Sequence, residues 1–93
     1  MEKVTVEKLR AAVHTARDAA ERLNLNGCDV SELDEIIEPI HRELDSNQPN
    51  VRTLATYLNS LARSLRADPA GRSACLGLDA AMREAGVPTD WEH

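Results

Sequence analysis

Apolar residues recur three and four positions apart along almost the whole chain, and that period limits it to helices. A first segment carries Val6, Leu9, Val13, Ala16, Ala20 and Leu23, with Thr5 as N-cap and Asn26-Gly27 as the stop signal. A second carries Val30, Leu33, Ile37, Ile40 and Leu44 behind two overlapping cap options, Asp29 with Glu32 and Ser31 with Asp34. The third, entered through Asn47-Gln48-Pro49-Asn50, has Val51, Leu54, Leu58, Leu61 and Leu65. The fourth has Cys75, Leu78, Met82 and Ala85, opened by Asp68-Pro69 and closed by Gly86 and Pro88.

Alanines add a third apolar column in three segments: Ala12 and Ala19, Ala55 and Ala62, Ala74 and Ala81. A stripe of that width faces a bundle core rather than a two-stranded seam. Connections this short make successive helices antiparallel. The expected fold is therefore all-α, a small antiparallel four-helix bundle forming one domain over residues 1–93. Gly71 and Gly77 weaken the fourth helix by about 1 kcal/mol each relative to alanine. The tail VPTDWEH is not helical by pattern, and its Trp91 is expected to dock back on the bundle end.

Composition agrees. Tyr57 and Trp91 are the only aromatics, and Ile, Leu and Val together make 20 of 93 residues. So thin an aliphatic core gains from further burial, in a homodimer or against a partner. Two cysteines, Cys28 and Cys75, without a signal sequence read as reduced thiols. No stretch approaches the ~18 apolar residues of a membrane span. The expectation is a soluble cytoplasmic protein.

The stretch LDEIIEPIHRELD, residues 33–45, breaks the otherwise even texture. Pro39 removes one backbone donor and crowds the carbonyl of Glu35, which costs an isolated helix about 3 kcal/mol. The core period nevertheless continues from Ile37 to Ile40 and Leu44. A kinked single helix is the expectation, against two short helices meeting near Glu38. Charge concentrates here as well. Residues 28–45 hold seven acids (Asp29, Glu32, Asp34, Glu35, Glu38, Glu43 and Asp45) against Arg42 alone, while the rest of the chain is nearly balanced. The net charge of −5 thus comes from one helix. The helix dipole favours the acids near its start and opposes Glu38, Glu43 and Asp45.

Catalytic and ligand motifs are sparse. Glu38-Pro-Ile-His41 has the Glu-x-x-His spacing of di-iron bundles, but one copy lacks the second copy and the further carboxylates such sites need. No metal site and no cofactor is expected. No Ser/His/Asp, Cys/His or glycine-rich phosphate motif occurs at usable spacing, so no enzymatic activity is expected. The acidic balance opposes direct nucleic-acid binding, and Arg63, Arg66 and Arg72 read as complements to a helix C-terminus.

His14, Thr15, Arg17 and the Ala19-Ala20 pair, in VHTARDAAERL, resemble the phosphoacceptor stretch of histidine phosphotransfer domains, which are four-helix bundles with an exposed histidine. The resemblance covers about eleven residues. It implies a phosphoacceptor role for His14. Asp18 departs from the pattern, standing where the family has a small residue.

The leading expectation is a small acidic protein-interaction module, a regulator or inhibitor that docks on a basic surface of a partner protein. Asp34, Glu35, Glu38, His41, Glu43 and Asp45 are its candidate contact residues. Phosphotransfer through His14 is the alternative, and a structural subunit of a larger assembly is the third.

Overall fold

Four helices, α1 (Lys3–Leu23), α2 (Val30–Leu44), α3 (Val51–Arg66) and α4 (Gly71–Ala85), make up the architecture. The structure, a computed structural model, describes residues 1–23 and 30–89. Helices adjacent in sequence pack on each other, and α1 closes the ring against α4. Cross-helix bonds give the directions. Arg10 and Arg17 of α1 meet Asp45 and Asp34 of α2, in reverse order. The Cys75 thiol contacts the Ala62 carbonyl, and Asn59 reaches Pro88, so α3 and α4 are likewise antiparallel. The expected four-helix bundle is what forms. Among the described residues, no helix is long and apolar enough to cross a membrane.

The core follows the sequence period. Leu9, Val13, Leu33, Ile40, Leu54, Leu58, Leu61, Leu65, Leu78 and Met82 are essentially sealed from solvent. The alanine columns differ by pair: Ala19, Ala55, Ala62 and Ala81 are buried, whereas Ala12 and Ala74 are half-buried. Small side chains there let neighbouring helices approach closely, which is how a chain poor in aromatics still fills its interior. Leu23 and Val51, at the ends of their stripes, remain exposed.

Pro39 lies inside α2, which runs past it as one helix, so the alternative of two short helices does not apply. Packing of Ile37, Ile40 and Leu44 into the common core outweighs the lost backbone bond.

Helix starts depart from the expected caps at α1 and α4. α1 begins ahead of Thr5, because the Val6 amide already donates to the Glu2 carbonyl. Of the two cap options for α2, Ser31 sits within the helix; Asp29 lies outside the described residues, as do the Asn26-Gly27 stop, Cys28 and Trp91. α4 starts at Gly71 rather than at Pro69. Asp68 turns the chain one step earlier, its carboxylate accepting from the Ala70 amide and its carbonyl from the Gly71 amide. Gly71 is thus the first residue of α4, where its low propensity costs little.

The start of α3 and the end of α4 fall where their sequence signals put them. Asn50 caps α3 through its side-chain oxygen, which accepts from the Thr53 amide. Gly86 ends α4 in the left-handed conformation (φ 74°), and the Val87 amide donates back to the Met82 carbonyl. Val87 and Met82 are both buried beneath that turn, completing a Schellman cap.

Candidate functional site

Arg10 and Arg17 are two helical turns apart on α1, so both side chains leave the same face. That face lies against α2. Arg17 grips Asp34 with two parallel bonds, Nε to Oδ1 at 2.6 Å and Nη2 to Oδ2 at 3.2 Å, and reaches Glu21 with Nη1 at 3.1 Å. The guanidinium holds the Asp34 carboxyl below the usual carboxylate range, chiefly through its hydrogen bonds, which outweigh the opposing effect of burial, with charge attraction adding to them. At the other end Arg10 Nη2 donates to Asp45 Oδ1 at 2.5 Å. Two of the seven acids therefore tie the second helix to the first.

Others serve the fold locally. Glu43 accepts from the backbone amide of Asn50 at 2.9 Å and so anchors the start of α3, with Ser46 Oγ donating to the Glu43 carbonyl. Glu38 pairs with Arg42 one turn along, at 2.6 Å, but both side chains are largely exposed (70% and 74%). Such a pair is worth little in water. Glu32 and Glu35 are exposed, and no bond or ion pair to either occurs among the described residues. Glu32, Glu35 and Glu38 follow one another at i+3 spacing, so they form a short acidic stripe on the outward side of α2.

His41 turns the other way, into the seam. It shares with His14 two adjoining clefts between α1 and α2, of about 410 and 340 Å³. Glu7 and Arg10 flank the first, and Arg17, Asp34 and Glu38 the second. The Nδ1 atom of His41 is sealed from solvent and has no hydrogen-bond partner among the described residues. Burial, and then the neighbouring Arg10, push its pKa below that of a free histidine, with Asp45 partly opposing. His41 is consequently neutral at neutral pH. His14 is exposed on α1, one turn beyond Arg10. Asp18 lies one turn further, 3.8 Å from an Arg17 nitrogen.

The six candidate contact residues thus divide. Glu35 and Glu38 lie on the outward stripe, Asp34 and Asp45 are held by α1, Glu43 caps α3 and His41 faces the seam. Among the described residues, no three metal-ligating side chains converge. Cys75 is buried, and desolvation raises its thiol to about 11, so it packs as a small apolar group.

Sequence reasoning missed two features. The Arg10/Arg17 clamp could have been found from the seven-residue spacing of the arginines once antiparallel helices were assumed. Asn59, buried in the middle of α3, could have been found as the one polar residue inside the Leu58–Leu61 run that falls on the core side. Its Nδ2 donates to the Ala55 carbonyl at 2.7 Å and to the Pro88 carbonyl at 3.1 Å, pinning the chain beyond α4. Comparison with family models, with curated proteins and with solved structures finds no match to this chain.

Proposed function

We propose that this protein is a non-enzymatic interaction module of the cytoplasm, in which the outward face of α2 docks on a basic surface of a partner protein as a regulator or inhibitor. The observation that carries this reading is the Glu32–Glu35–Glu38 stripe. Once Arg10, Arg17 and the α3 cap have taken Asp45, Asp34 and Glu43, Glu32 and Glu35 are left without a bond or ion pair among the described residues, and Glu38 with an exposed pair to Arg42. Like charges at i+3 cost an isolated helix a few tenths of a kcal/mol per pair. An opposing basic surface would convert that repulsion into attraction and steer encounter over roughly 8 Å at physiological ionic strength. Glu38 can leave Arg42 for a partner cation at little cost, because both already stand in water.

The test uses a Glu32→Gln/Glu35→Gln/Glu38→Gln variant. It keeps the α1 clamp and the α3 cap, so helicity should stay as it is. Partners captured from the native cell by the wild type should be released as salt rises and should be depleted with the variant. Equal capture by both would refute the reading.

One observation favours the alternative of phosphotransfer. His14 is an exposed imidazole on a bundle helix, with Arg10 and Arg17 to either side of it and His41 across the cleft. Incubation with a phosphorylated receiver domain decides between the two. Little or no acid-labile phosphate is expected; stoichiometric labelling that His14→Gln abolishes would establish phosphotransfer instead.

A further inference from the structure

Leu76 is 69% exposed in the middle of α4, the most exposed of the large apolar side chains among the described residues. Its neighbours on the same outward face are small: Ser73, Gly77 and Ala80, all exposed. The face continues into a cleft of about 470 Å³ between α4 and α1, with Ala12, Ala19 and Leu78 among its walls. Gly77 stands at its edge. A Cβ there would meet nothing within 4 Å, so nothing within the described fold needs the glycine, which still costs a helix interior about 1 kcal/mol relative to alanine. A knob beside a shallow, open apolar hollow on the same helix is the pattern of a self-complementary surface.

Charge supports the same occupant. Arg72 and Glu84 each lie six residues from Leu78, and Leu76 and Ala80 each lie two residues from it. Two α4 helices crossing antiparallel about a two-fold axis at that level would therefore set Arg72 of each copy against Glu84 of the other. The same register sets Leu76 against Ala80 of the other copy, with Gly77 beside it. Arg72 is exposed, and among the described residues no ion pair to it occurs. Glu84 is 64% exposed, and its one ion pair among the described residues is a 3.7 Å contact to Lys8. We propose that this face is a homodimer interface, in which α4 packs antiparallel on α4 of a second copy, Leu76 seated over the second copy's Gly77 and Ala80 and the Arg72–Glu84 pairs closing both ends.

Analytical ultracentrifugation of the full chain, from micromolar to millimolar, tests this. The expected result is a reversible shift from the 10.2 kDa monomer towards the dimer. Leu76→Glu should raise the dimer dissociation constant more than about tenfold, since it places two carboxylates in the centre of the contact. Its helicity and dilute-solution melting should be unchanged, because Leu76 supports nothing in the monomer. Arg72→Glu should also weaken association, and the swap Arg72→Glu/Glu84→Arg should restore it. A monomer at every concentration overturns the proposal. So does a dimer indifferent to Leu76→Glu, or a charge swap that fails to restore association.

Discussion

Replacing Asn59 by alanine is the perturbation that most directly probes how the end of the chain is held. Asn59 is only 7% exposed, and its amide nitrogen spans α3 and the segment beyond α4. Each bond contributes about 1 kcal/mol net. Neither lost partner is left stranded. The Ala55 carbonyl also serves the helical ladder, and the Pro88 carbonyl belongs to an exposed residue that water can reach. Loss of these two bonds should therefore cost at least about 2 kcal/mol, with no large added penalty for an orphaned carbonyl. For a domain of this size 1 kcal/mol moves Tm by roughly 4–8 °C, so a fall of roughly 8–16 °C is expected. Circular dichroism during heating and urea titration reads it. Hydrogen exchange adds the location: the Gly86 and Val87 amides, which close the cap over Met82, should lose protection before those in the middle of α3. An unchanged Tm, or protection lost evenly over the whole molecule, would refute the argument that Asn59 pins this segment.

Leu58, fully buried at the centre of α3, should cost about 2–5 kcal/mol as Leu58→Ala, and Leu58→Asp should not fold stably; a stable aspartate variant in the same denaturation assay would mean the core is misassigned. Pro39→Ala should raise Tm, because it restores a backbone donor to the Glu35 carbonyl within a helix that already runs through this position; a clear drop would show that packing of the half-buried ring matters more. His41 gives a pH dependence of defined sign. Its folded pKa is depressed, so the stability it lends is fully present above the unfolded value of about 6.5 and is lost as pH falls from there through the folded pKa. Urea midpoints measured across that window should decline on acidification, and His41→Leu should flatten the decline.

How much of this was legible in the sequence depended on the range of each interaction. Periodicity is a local property, and it found four helices, their inward faces and the passage of α2 through Pro39, because Ile37, Ile40 and Leu44 stay in phase across it. Stop and entry signals were readable in part: Gly86 ends α4 as expected and α3 begins directly after Asn50, but Asp68 only turns the chain ahead of α4, whose N-cap is Ala70. Long-range pairings were not readable. Asp34, Glu43 and Asp45 looked like surplus charge on one helix because their partners, Arg17, the Asn50 amide and Arg10, lie on other elements. For the same reason His41 was read with Glu38 alone, three residues away, when the cleft they line also holds His14, twenty-seven residues away from His41. Asn59 went unnoticed because its target on Pro88 exists only once α4 has folded back.

The central claim, that the acidic stripe of α2 is the working surface, is tested most directly by carbodiimide labelling of carboxylates in the free protein and in the complex with its captured partner. The account predicts that Glu32, Glu35 and Glu38 are modified readily in the free protein and protected in the complex. Glu2, Glu7 and Asp18, which are also exposed, on α1 and before it, should label at the same rate in both. Undiminished labelling of the three α2 residues in a saturated complex would contradict it.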